Sequence, residues 1–148
     1  MGLTRRIVVV VALGLWLGGI TLYGLVVVPA GVKVLGSATA QGFVTQEVIS
    51  RLNVLAVVAL AGLAWNTLAT RTRALVATWL VMIAAQVALF LLQPYVSALL
   101  DATTHQVSDH AAFYARHRIY LLVTTVQWLA ALAYAGFALA RWRVEDRR

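Results

Sequence analysis

Four charge-free apolar runs alternate with polar stretches along the chain, at residues 7–28, 52–69, 74–93 and 119–140. Each is 18 to 22 residues long, and about 20 apolar residues in helical form cross a hydrocarbon layer of about 30 Å. The pattern predicts four transmembrane helices, since backbone polar groups in hydrocarbon must pair within their own segment. The joints between runs differ. Thr70-Arg71-Thr72-Arg73 has room only for an antiparallel turn, whereas residues 29–51 and 94–118 are longer, mixed in character and expected as outer loops. Pro29 lacks an N–H and crowds the preceding turn, so it is expected to end or kink the first helix. Val44, Val48 and Ile49 recur at helical spacing and predict a short interfacial helix leading into the second span. Ser108-Asp109 offers acceptors to the free N–H groups of a first helical turn, so the last helix is expected to start at His110, proud of its own apolar run. The expected fold is all-α: one integral-membrane four-helix bundle over residues 1–148.

Composition agrees with this reading. The chain is 62% hydrophobic and 11% charged, with a mean hydropathy of +0.86, where about a quarter of a soluble domain is charged. With no cysteine, disulfides, thiolate metal sites, iron–sulfur clusters and cysteine nucleophiles are excluded. The net charge of +7 comes from basic residues at the ends of runs, where they act as topology signals and headgroup contacts. Arg5, Arg6, Arg71, Arg73, Arg141, Arg143, Arg147 and Arg148 fall at one end, and Lys33, Arg51, Arg116 and Arg118 at the other. Positive charge is retained in the cytoplasm, which predicts cytoplasmic termini in a multi-pass protein of a bacterial inner membrane. The expected partners are the lipid bilayer and either other membrane subunits or further copies of the chain; nucleic acid is not among them.

The runs hold no ionisable Asp, Glu, Lys, Arg or His, which argues against ion pumps, proton relays and voltage sensors. They do carry Tyr23, Gln86, Thr124, Thr125 and Gln127. Gln86 and Gln127 fall at similar depth and can hydrogen-bond between the third and fourth helices. Together with Tyr23 and His117 they form a candidate polar pocket for a ligand. His110, Tyr114 and His117, spaced i, i+4 and i+7, share a helix face that His105 and Asp109 can approach. Imidazole and carboxylate without thiolate suit zinc, copper(II) or iron, so His105, His110 and His117 are candidate metal or haem ligands. No HExxH, G-x-S-x-G or phosphate-binding glycine loop is present, and no catalytic residue is assigned. The resulting expectation is a non-enzymatic membrane protein without a cofactor, either an accessory subunit of a membrane complex or a binder of a lipid-like apolar molecule. The alternative is a haem- or copper-binding membrane protein that uses the outward-facing histidines.

Trp16-Leu17-Gly18-Gly19 followed by Val26-Val27-Val28-Pro29, then Leu92-Gln93-Pro94, then Phe113-Tyr114-Ala115-Arg116-His117, occur in that order. This succession resembles the transmembrane protein 205-like family of small four-helix membrane proteins and its bacterial relatives. The resemblance covers nearly the whole chain and implies the fold and topology, with no reaction to carry over. It departs after His117, where the family has a small residue and this chain has Arg118-Ile119-Tyr120.

Overall fold

A computed structural model describes residues 2–101 and 106–147. Four helices are long and apolar enough to cross a membrane: α1 (Gly2–Leu35), α2 (Ala38–Thr70), α3 (Arg73–Ser97) and α4 (His110–Glu145). Helices adjacent in sequence pack antiparallel, most extensively α3 with α4 and then α1 with α2, whereas α1 and α4 touch only sparsely. The chain termini and the α2–α3 turn share one end of the bundle, here called proximal. The other end is distal.

Pro29 does not end the first helix. The turn before it widens to π geometry over Tyr23–Val27, with the Val28 N–H reaching the Tyr23 carbonyl five residues back. That extra residue accommodates the proline ring and its missing donor, and the helix continues to Leu35. Gly36 (φ 66) then takes the left-handed conformation that closes a helix. Ser37 caps α2 by accepting from the Ala40 N–H at 3.2 Å. Residues 29–51, read from their mixed composition as a loop with a short helix, are therefore two long helical arms joined by a tight turn. At 1.5 Å per residue, α1, α2 and α4 are about 51, 50 and 54 Å long, well beyond a hydrocarbon layer.

The tight basic turn between α2 and α3 is present, with Arg71 left-handed (φ 48). Beyond Pro94, α3 runs one further turn to Ser97. Between α3 and α4, Leu100–Asp101 (β1) and Gln106–Val107 (β2) form a two-rung antiparallel ladder. Asp109 caps α4 as its sequence indicates, its Oδ1 accepting from the Ala112 N–H at 3.0 Å.

The core occupies the proximal half. Val9, Leu13 and Trp16 of α1 meet Ala56, Leu60 and Leu63 of α2, while Leu75 and Met82 of α3 meet Ala131, Tyr134 and Ala138 of α4. Small residues let the backbones approach, which suits helices whose association rests on van der Waals contact. Gly62 serves the same end, because a Cβ there would lie 3.3 Å from Val8 of α1. Gly18 has open space around it, and Gly19 is in ordinary contact with Leu52 at 3.4 Å.

Candidate functional site

The core does not extend to the distal end, where α1 and α4 part and leave a cleft of about 520 Å³. Ile20, Tyr23, Gly24, Val28 and Val32 line it from α1, so the π turn forms part of its wall. From α4 come Phe113, His117, Leu121, Thr124 and Trp128, spanning four turns. The first turns of α2 form the back, and Gln93 and Val96 of α3 with Leu100 and Val107 of the ladder close one side. The lining is mainly apolar. At its deep end the Trp128 indole donates to Thr21 Oγ1 at 3.0 Å and ties α4 to α1.

Two polar clusters border the cleft. In the first, the Tyr23 hydroxyl donates to Thr45 Oγ1 at 2.9 Å, and Thr45 in turn donates to the Gln41 carbonyl at 2.9 Å. Gln41 is buried and its amide donates weakly to Tyr23 at 3.4 Å. Its side chain fills the space beside Gly31, where any Cβ would overlap it. The hairpin arms α1 and α2 are thereby pinned by hydrogen bonds.

The second cluster runs beneath the cleft across three helices. Gln127 Nε2 of α4 donates to Gln86 Oε1 of α3 at 2.9 Å, and Gln86 Nε2 donates to Asn53 Oδ1 of α2 at 3.3 Å. Asn53 Nδ2 then donates to Gln93 Oε1 at 2.9 Å and to the Tyr120 hydroxyl at 3.1 Å. Gln86, Asn53 and Gln127 are all buried. The four residues read from sequence as one pocket are thus divided. Tyr23 and His117 line the cleft, while Gln86 and Gln127 bond to each other below it.

His117 stacks on Phe113, with centroids 5.6 Å apart and planes 5° from parallel. It is half-buried in the cleft wall. His110 also lines the cleft, two turns away on the same helix, a rise of about 10 Å. The third candidate ligand, His105, lies outside the described residues. Among the described residues no three metal-ligating side chains cluster.

Sequence reasoning passed over Gln41, Thr45 and Trp128. Trp128 did carry a signal: tryptophan favours interfaces, and one ten residues into an apolar run implies a polar partner within the bundle. Gln41 and Thr45 sit in a stretch of mixed composition that marked nothing out.

At the proximal end the α1–α4 seam is closed by charge. Arg5 pairs with Glu145 at 3.0 Å and Arg6 with Asp146 at 2.7 Å, and the Arg6 guanidinium lies 5.5 Å from the centre of the Trp142 ring. The hydrogen bond from Arg6 holds the Asp146 carboxyl below the usual aspartate range. A carboxyl so depressed contributes stability above its unfolded pKa, and the contribution is lost as pH falls through the folded one. Asp146→Asn is therefore expected to unfold more readily than the parent in a detergent titration at pH 7, with the difference fading below the carboxylate range. A difference that persists in strong acid would contradict the pairing.

No family model matches the chain, nor does any curated protein or solved structure match it.

Proposed function

We propose that this is a multi-pass protein of a bacterial inner membrane, termini cytoplasmic, that holds a lipid-like apolar molecule in its distal cleft without reacting with it. One observation carries the reading. The cleft is large enough for a small ligand, for which pockets run from about 300 to 1,000 Å³, is walled mainly by apolar side chains, and lies open between α1 and α4. It sits beside the level where the apolar runs of α2 and α4 give way to Arg51 and Arg118, which in a bilayer is the hydrocarbon–headgroup boundary. An amphiphile can enter there sideways from its leaflet. The exposed apolar surface elsewhere suits lipid as well as a partner subunit and does not favour the accessory role.

Gly42 provides the test. It lines the cleft from α2, and a Cβ there meets nothing within 4 Å. Phenylalanine is also the better helix former, by roughly a few tenths of a kcal/mol. Gly42→Phe should therefore fold normally and fill the cleft. Native mass spectrometry of gently solubilised protein is expected to show one lipid-like adduct per chain in the parent and at least about tenfold less in Gly42→Phe, a difference of about 1.4 kcal/mol. Equal adducts in the two, or none in either, would overturn the reading. An absorption band near 400 nm in the same sample would point instead to histidine-ligated haem.

A further inference from the structure

We infer, building on that reading, that the cleft selects an uncharged amphiphile whose head presents carbonyl or hydroxyl oxygens, held by His117, over an anionic phospholipid. The chain carries 12 lysines and arginines, yet among the described residues none of these, and no aspartate or glutamate, lines the cleft. Of the four cations at this end, Lys33 and Arg118 are outside the lining and the other two are committed elsewhere. Arg116 donates to the Tyr95 carbonyl at 2.8 Å, and Arg51 pairs with Glu47 at 2.8 Å on the surface of α2. A phosphate drawn between these walls, away from the cations at the mouth, would lose water and find no countercharge, the least favourable way to bury an ion.

Neutral hydrogen-bonding groups are present instead. The Tyr23, Thr45 and Gln41 groups bond mainly to one another, and Tyr120 and Gln93 are occupied by Asn53. His117 differs from all of these: its ring is packed flat against Phe113 and makes no hydrogen bond to a described residue. A neutral imidazole fixed in this way offers one N–H and one lone pair to the cleft. A carbonyl head accepts the first and a hydroxyl head can use both. Acylglycerols and isoprenoid quinones share this chemistry, with an apolar body and uncharged oxygens at one end.

The experiment is a competition. The full chain in mild detergent is mixed with equimolar 1,2-dioleoylglycerol, decylubiquinone and dioleoylphosphatidylglycerol, and retained adducts are read by native mass spectrometry for the parent, Gly42→Phe and His117→Phe. The expected result is a one-to-one adduct with a neutral probe, retained about tenfold over phosphatidylglycerol and lost in Gly42→Phe. Which neutral probe is retained assigns the source, acylglycerol or quinone. In His117→Phe, which keeps an aromatic ring against Phe113, retention should fall about tenfold, as for loss of one hydrogen bond. Phosphatidylglycerol retained best and lost in Gly42→Phe would overturn the selectivity while leaving a lipid-binding cleft. Adducts insensitive to Gly42→Phe would overturn both, and unchanged retention in His117→Phe would remove His117 as the head-group contact.

Discussion

Tyr134→Ala is expected to lower the free energy of unfolding by roughly 3–5 kcal/mol, the range for deleting a buried aromatic ring. Tyr134 is fully enclosed at 0% exposure in the middle of the core, where neighbouring helices are too tightly held to collapse into the space. Its hydroxyl is also a junction. Asn66 Nδ2 donates to it at 2.9 Å, it lies 3.0 Å from Thr67 Oγ1, and it can donate to the Leu63 carbonyl at 3.2 Å. Tyr134→Phe separates the two contributions, because it keeps the ring and removes only the junction. That variant should lose about 1–2 kcal/mol, since Thr67 retains its bond to Leu63 at 2.9 Å while Asn66 loses its partner. Reversible unfolding by denaturing detergent measures both. If Tyr134→Phe proved as damaging as Tyr134→Ala, hydrogen bonding would outweigh packing in this core.

Asn53→Leu is the second large effect, expected at about 2–3 kcal/mol. Leucine matches the volume approximately, so the loss would come from stranding three polar groups at once: the Gln86 amide, the Gln93 carbonyl oxygen and the Tyr120 hydroxyl. Leaving a buried partner unpaired costs about 1–3 kcal/mol, whereas removing both members of a pair is nearly neutral. The double variant Gln86→Leu/Gln127→Leu should accordingly cost less than the sum of its single substitutions, with a coupling of about 1 kcal/mol. Strict additivity would mean that these amides do not share a hydrogen bond in the folded protein.

The helical core was legible because each charge-free run is long enough to commit to one form. The helix cap at Asp109 was equally plain, because its chemistry is local to four residues. Pro29 left open whether its helix would end or kink, for the opposite reason. Whether a proline ends a helix depends on whether the preceding turn can widen, and that depends on what Tyr23 packs against. The arms beyond the apolar runs mix Lys33, Gly36, Gly42 and Glu47 with valines, since one face meets the neighbouring helix and the other water or headgroups. Such a stretch has no uniform polarity to read. Depth along adjacent helices put Gln86 and Gln127 within reach of each other without deciding whether they meet, because depth does not give rotation. Tyr23 and His117 belong to another space because their helix faces turn toward the α1–α4 seam.

That seam also constrains the order in which the molecule is made. Its fastenings are Trp128 to Thr21 and the two arginine pairs that end at Glu145 and Asp146. α1 and α2 can meet as a hairpin as soon as both have been synthesised, but the acidic residues that secure α1 to α4 are translated more than a hundred positions later. Until α4 has been synthesised, the first helix has one neighbour, and its flank facing α4 is open. Closure of the α1–α4 seam is thus the last assembly step, and interruption of synthesis before α4 would release a chain with three helices and a distal cleft lacking one wall.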